Sequence, residues 1–455
     1  MVYYSLESGG SRRIAPYSPV GTASGGEREI IETFEIDNLQ ITLDKEGARA
    51  YSKVSFPLRY GRYAEIKSPD HLFQFNLNGE LKFITGMGNG WPSRSEWLKR
   101  TITNDWVYYS AGGYDGPYDC FGEYYLPCLS YPTNNINSHD PFNDNAVISA
   151  IGAWDRLHKK LTQLNLDSLP LKVREFLTMV ILNSPDELHK RSGRIYEIIG
   201  DHITVLPPDA RHVDYDVIPI IIADGCLYKC SFCSIKSRFY FKERSKEDIK
   251  RQVRELKYFY GCDISNYNSL FLGQHDSLNA SVDLVEFAGQ YAFDALDLGN
   301  SNIEGPSLFL FGSADSIIKS DYGDFERIDK LPYMTYINIG LESADQETLD
   351  RLGKGIPEQA VERAFAKIVE INRRYEHIEV TSNFVLGPDL SDGHINSFLR
   401  LMEKHFDHPF HKGSIYFSPM INAENIGWKR HIKREFYNLK IRIPVPSFLY
   451  LIQRM

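Results

Sequence analysis

No run of this chain reaches the roughly 18 apolar residues that a membrane-spanning helix requires, so nothing in it reads as a span. The opening residues, Met1-Val-Tyr-Tyr-Ser-Leu-Glu-Ser-Gly-Gly, lack a basic stretch followed by an apolar core and do not read as a secretion signal. Excess positive charge is missing as well. Lys and Arg number 51 against 60 Asp and Glu, a formal net charge of -9, which argues against a general nucleic-acid or anionic-membrane surface. One local basic cluster, Arg238, Lys242, Arg244 and Lys246, reads as a solvated loop and helix start. Cysteine is scarce, six in 455 residues with three in one motif, a usage that suits a reducing cytoplasm rather than a disulfide framework.

What the chain has is length and apolar content. Its 455 residues are 42% hydrophobic, enough to bury the cores of two or three domains. Residues 1–34, rich in Ser, Gly and Pro, are expected to form a loosely ordered arm. An α+β domain follows over 35–206, placed to cover a substrate or cofactor. Within it Phe73, Phe75 and Leu77 alternate with polar residues, and the pattern resumes at Leu81 and Phe83 after Asn78-Gly79, a strong hairpin signal. Between Trp106 and Asn145 aromatics mix with Gly, Pro, Asn and Asp, predicting loops held by rings. Helical spacing covers Val147 to Leu164 and Leu171 to Leu182, and Pro207-Pro208 predicts an extended connector at the domain boundary.

From Asp214 the pattern changes to strand, loop and helix, repeated. Apolar strands are expected around Ile218 to Ile222, Ser269 to Gly273, Ser307 to Gly312, Tyr336 to Gly340, Val380 to Leu386 and Ile415 to Pro419, with amphipathic helices between them. Such alternation requires right-handed parallel crossovers. The fold expected is α/β: a partial (β/α)6 barrel over 207–420, with a short C-terminal extension over 421–455 that packs back onto the body. Chemistry in parallel barrels gathers at the carboxyl ends of strands. Here that rule selects Gly273, Gln274, His275 and Asp276, then Ser313 and Asp315, then Glu342 and Ser343, together with Asn383 and Ser418.

After the first of these strands come Cys226, Cys230 and Cys233, spaced C-x3-C-x2-C. Three thiolates can hold a four-iron, four-sulfur cluster with one iron open, whereas a closed structural cluster takes four. The plainer alternatives are buried or zinc-binding thiols, but structural zinc uses a fourth Cys or His and paired C-x2-C spacing, and no second such pair exists here.

With Phe232 just before the last cysteine, the motif resembles the signature of the radical S-adenosylmethionine (SAM) enzymes. The stretch from Ile337-Asn-Ile-Gly-Leu-Glu-Ser to Leu352-Gly-Lys-Gly is similar to the fourth-strand segment of members related to oxygen-independent coproporphyrinogen oxidase and the methylthiotransferases. Asn383-Phe-Val-Leu-Gly-Pro resembles their fifth-strand segment, and together these features span about residues 214–420.

The resemblance implies that Cys226, Cys230 and Cys233 ligate a [4Fe-4S] cluster whose open iron chelates SAM, and that the backbone at Phe232 meets the adenine. Gly273 and Gln274 fall where the family receives the SAM amino group, although Leu272-Gly-Gln-His lacks the glutamate often found there. Ser313 and Glu342 become partners for the ribose or the methionine portion, with Asn383 in the same cofactor-binding set. The alternative for the serines is helix capping, Ser313 ahead of its own helix and Ser343 with Gln346 as a capping box. His275 and Asp276 are the catalytic candidates, able to move a proton near the radical site, or else a hydrogen-bonded pair that shapes the turn. Cys120, Cys128 and Cys262 are too scattered to suggest an auxiliary cluster.

The function implied is reductive cleavage of SAM to a 5′-deoxyadenosyl radical that takes hydrogen from a small-molecule, peptide or protein substrate. A reducing partner such as flavodoxin or ferredoxin and an anaerobic cytoplasmic setting go with it. A methyl-transferring, cobalamin-dependent version is not indicated, since the N-terminal half shows no D-x-H-x-x-G segment. A radical SAM methyltransferase, a non-catalytic heme carrier and a structural iron–sulfur protein are the alternatives.

Overall fold

The computed structural model describes residues 33–51, 59–111, 126–130, 140–228, 240–273, 275–406, 412–420, 426–450 and 455. Cys120, Cys230, Phe232, Cys233, Gln274, most of the expected N-terminal arm and much of the aromatic-rich stretch lie outside these residues.

The N-terminal part is an antiparallel meander in which each strand pairs with the next. Its strands are β1 (Thr33–Ile36), β2 (Leu39–Glu46), β3 (Arg62–Lys67), β4 (His71–Phe75), β5 (Leu81–Gly86), β6 (Trp97–Arg100), β7 (Trp106–Ser110) and β8 (Leu126–Leu129). The Asn78-Gly79 turn joins β4 to β5. Gly79 takes φ +74°, and the Asn76 side chain accepts from the Asn78 and Glu80 N–H groups, an Asx-type closure. Phe73 and Phe75 are buried, and the Phe75 ring packs edge-on against Trp154 at 5.8 Å and Phe176 at 5.7 Å. Each such side chain contributes roughly 1.5–3 kcal/mol through burial.

Trp154 and Phe176 belong to the helices Asn145–Leu161 and Leu171–Leu182, which cover one face of the meander. A third helix, Pro185–Ile199, was not expected from the spacing. Ser184 caps it and Pro185 opens it, but charged residues from Asp186 to Glu197 thin its apolar stripe to Leu188, Ile195, Ile198 and Ile199.

Pro207 is extended, φ -55° and ψ 140°, at the end of an irregular stretch, but the connector stops there. Pro208 instead opens a 3-10 helix, Pro208–Val213, since a missing N–H costs nothing in a first turn. This helix packs inside the curve of the second sheet, where the buried Asp209 accepts hydrogen bonds from Thr381 at 2.6 Å and Tyr416 at 2.8 Å.

The second sheet is parallel and has the order β17-β16-β15-β14-β13-β12-β9. Its strands are β9 (Ile218–Pro219), β12 (Ser269–Phe271), β13 (Ser307–Ser313), β14 (Met334–Glu342), β15 (Ile378–Leu386), β16 (Ile415–Pro419) and β17 (Ser447–Leu449). Helices fill the crossovers, the first being Lys246–Tyr260, where the Ser245 hydroxyl accepts from the Asp248 N–H. Side chains alternate along β15: Phe384 packs on Phe365 of the helix Glu358–Arg374, while Thr381 and Asn383 face the inner side. The expected six strands are present. The C-terminal extension supplies a seventh, β17, at an edge where the preceding Pro444 and Pro446 do no harm. Among the described residues no helix is long and apolar enough to cross a membrane.

Charged groups join the meander to the parallel sheet. Lys82 and Lys99 approach Asp216 at 3.1 and 3.0 Å, and Lys99 approaches Asp214 at 3.6 Å. Burial pushes the Asp216 pKa up, yet Lys82 and Lys99 outweigh it and hold it below the ordinary 3.8. Asp216 therefore stabilises the fold above about pH 4, and that contribution is lost as pH falls through the depressed folded-state pKa. Asp216→Asn leaves two lysines facing a neutral amide and is expected to cost about 3 kcal/mol in urea unfolding at pH 7. The gap between variant and parent should narrow in acid.

Candidate active site

The site assembles where parallel strands end. After β9, the short strand β10 (Ala223–Asp224) pairs antiparallel with β11 (Lys242–Glu243), and Cys226 bridges to Tyr240. These pairings bring together the two ends of the segment in which the motif cysteines lie, with Cys226 at its start. Cys226 is a free, partly exposed thiol. Arg244 locks these two ends: its guanidinium donates to both Asp224 oxygens at 2.6–3.1 Å and to the Ile199 carbonyl at 2.5 Å. Only 12% of its side chain is exposed, so Arg244 is a structural clamp rather than part of a solvated basic cluster.

The Ile199 carbonyl belongs to the unexpected third helix, which Gly200 ends at φ +67°. A Cβ there would stand 3.3 Å from Arg244 Nη1. The next residue, Asp201, has Oδ2 3.5 Å from His275 Nε2, and His275 Nδ1 lies 3.4 Å from Cys226 Sγ. Burial pulls the His275 pKa down, but hydrogen bonds with Asp201 and Cys226 carry it up to about 9.

Asp276 follows directly. One carboxylate oxygen accepts the Ser313 N–H at 3.1 Å, while the other is buried with no hydrogen-bond partner among the described residues. Burial pushes its pKa up against the pull of Ser313 and Ser316. Ser313 is the N-cap of the helix Ala314–Lys319, in a reciprocal capping box with Ser316. Its hydroxyl is thus already engaged. The Tyr228 hydroxyl accepts from the Asp315 N–H at 3.2 Å.

Glu342 ends β14 in a left-handed conformation, φ +67°, at a register shift against β15. Such backbone costs a non-glycine residue roughly 1–3 kcal/mol and persists where surrounding contacts over-determine it. Here Lys354 Nζ meets Glu342 Oε1 at 3.1 Å, both side chains being at most 10% exposed. Gly340 makes the room, since a Cβ there would fall 2.6 Å from that oxygen. Lys354 also stands 5.5 Å from the Tyr228 ring centre.

Asn383 forms a reciprocal amide pair with Asn338, and Asn338 continues to Thr381 and so to Asp209. Gly273 takes φ +94°, a conformation that favours glycine. Ser343 does not form the expected capping box with Gln346. Asp345 caps that helix, and the Ser343 hydroxyl pairs with His394 Nδ1 at 2.8 Å. Cys128 is buried in β8 and Cys262 is exposed on a 3-10 turn.

The structure thus brings Cys226, His275, Asp276 and Ser313 into one chain of contacts, with the Glu342–Lys354 pair linked through Tyr228. Asn383 belongs to a separate inner ladder. Asp201 and Lys354 were missed by sequence reasoning. Lys354 had a signal, sitting in Leu352-Gly-Lys-Gly at the end of the family-like segment; Asp201 had none. The donor chemistry fits an iron–sulfur cluster with SAM: a free thiol heads the three-cysteine loop, and a buried, unpaired carboxylate oxygen lies at the same sheet edge to meet an ammonium or hydroxyl group.

Residues 220–402 match the model of the radical SAM superfamily. This part of the chain thus carries the likeness to the radical SAM superfamily, and that family implies a [4Fe-4S] cluster and SAM as cofactors. No curated protein matches the chain in sequence. Among solved structures it is similar to SuiB of Streptococcus suis, with 12% identity, 79% of this chain and 71% of that chain covered, and a TM-score of 0.35. A radical SAM methyltransferase from Sphaerobacter thermophilus gives 14% identity, 52% and 66% coverage and a TM-score of 0.30. The cobalamin-dependent enzyme OxsB gives 13%, 41% and 26%, with a TM-score of 0.30. The chain spans about a quarter of OxsB and about two thirds of the methyltransferase.

Removing one partner of the buried pair leaves the other charge uncompensated. Lys354→Met is expected to destabilise the protein by about 3–5 kcal/mol in urea unfolding. The double variant Glu342→Gln, Lys354→Met should recover a large part of that loss.

Proposed function

We propose that this enzyme uses its cluster to cleave SAM reductively and abstracts a hydrogen atom from an organic or peptide substrate, with Cys226, Cys230 and Cys233 as the cluster ligands. The observation that carries the reading is that Cys226, the first cysteine of the C-x3-C-x2-C motif, lies beside His275 at the carboxyl edge where the buried polar groups converge. When bound, the cluster supplies one electron that breaks the sulfonium C5′–S bond, giving methionine and a 5′-deoxyadenosyl radical that takes hydrogen from the substrate.

The chain's own work is to hold, orient and shield. Gly273 lets the backbone come close to SAM beside Gln274, and the free oxygen of Asp276 accepts from its ammonium or hydroxyl groups. Glu342, fixed by Lys354, presents a carboxylate to the ribose or methionine portion. The Ser313 N-cap holds Asp276 in place, and Phe232 offers backbone to the adenine. Asn383 stiffens the barrel interior beneath the cofactor. Residues 35–206 and 421–455 close the open side of a core over 207–420, and flavodoxin or ferredoxin supplies the electron.

The fourth- and fifth-strand segments favour a relation to the coproporphyrinogen oxidase and methylthiotransferase groups. Transfer of a methyl group, with or without cobalamin, is an alternative ending to the same first step. A heme-carrying role would show heme absorbance without SAM cleavage.

Anaerobic reconstitution with iron and sulfide, followed by reduction in the presence of SAM, should release 5′-deoxyadenosine. Cys226→Ala is expected to reduce its yield at least 100-fold. Zinc in the anaerobically isolated protein, or a metal centre whose spectrum ignores SAM, overturns the reading.

A further inference from the structure

His275 offers more than its place in the second-strand loop. Its ring is 8% exposed, and each nitrogen faces an acceptor: Nδ1 faces Cys226 Sγ at 3.4 Å and Nε2 faces Asp201 Oδ2 at 3.5 Å. A ring enclosed in this way has no free nitrogen to offer a substrate. Its orientation is fixed from outside the barrel, because Asp201 is carried on the turn that Arg244 clamps to the base of the cysteine loop.

We infer that His275, oriented by Asp201, donates a hydrogen bond from Nδ1 to the Cys226 thiolate and so raises the reduction potential of the cluster that Cys226 holds. The assignment rests on the cluster-binding reading above. A donor at a ligating sulfur withdraws electron density from the iron and favours the reduced, more negative state, and hydrogen bonds to the sulfurs are among the terms that set such potentials. Carboxylate–imidazole pairs commonly orient metal sites one shell out from the ligands. Here the imidazole touches the ligand sulfur instead of the metal, so His275 is a positioning and tuning residue rather than a catalytic one.

The test is redox titration of the full-length, anaerobically reconstituted protein, following the reduced cluster by electron paramagnetic resonance. Parent, His275→Ala and His275→Gln are compared at equal iron and sulfide content. His275→Ala should make reduction at least tenfold less favourable, a fall of about 59 mV for one electron. His275→Gln, a neutral donor, should lie between Ala and the parent. Equal midpoints for Ala and the parent overturn the assignment while leaving the radical reading intact, as does a nitrogen coupling that marks His275 as a direct iron ligand. If only the Gln variant takes up a cluster, a midpoint below the parent's supports the assignment and an unchanged one overturns it. A parent protein that binds no iron overturns the functional reading instead.

Discussion

Parallel pairing is the constraint on which the rest depends. Strands that all run one way must be joined by crossovers that return the chain to the same starting edge, so every loop leaving a strand's carboxyl end opens onto one rim. β9, β12, β13 and β14 deliver to that rim a cysteine loop, a His-Asp pair, a helix cap and a carboxylate, in that order. Residues separated by more than a hundred positions meet because the sheet leaves them no other place.

Polar groups at such a rim must be satisfied or held ready. Most are satisfied: Ser313 by its own helix, Glu342 by Lys354, Tyr228 by the Asp315 amide. The unpaired Asp276 oxygen and the strained Glu342 backbone are the exceptions. Both depart from what stability alone would select, and both lie where a charged cofactor would repay the cost.

The parallel fold was legible because β strands there are buried on both faces and read as unbroken apolar runs, such as Ser307-Leu-Phe-Leu-Phe, set between amphipathic helices. The hairpin at Asn78-Gly79 was legible for an equally local reason. The helix Pro185–Ile199 was obscured because its exposed face carries so much charge, and β17 because two prolines run straight into a strand of only three residues. At the site, strand-end position pointed to His275, Asp276 and Glu342 but not to their partners. Asp201 and Lys354 are brought in by helices and turns whose arrival depends on tertiary packing, which no spacing rule records.

The segment leading to the cysteine loop is anchored repeatedly along a short length of chain. Asp201 meets His275, Asp209 is held by Thr381 and Tyr416, Asp216 by Lys82 and Lys99, and Cys226 bridges to Tyr240. Buried charges are poor contributors to net stability, because desolvation offsets most of their attraction. Their use here is positional: an apolar contact can slide, whereas a buried carboxylate between two lysines has one low-energy arrangement. The antiparallel meander therefore does more than cover the sheet. By holding Asp216 it fixes β9, and by holding β9 it helps fix Cys226, so the position of that thiol is set partly by a layer from which it does not come.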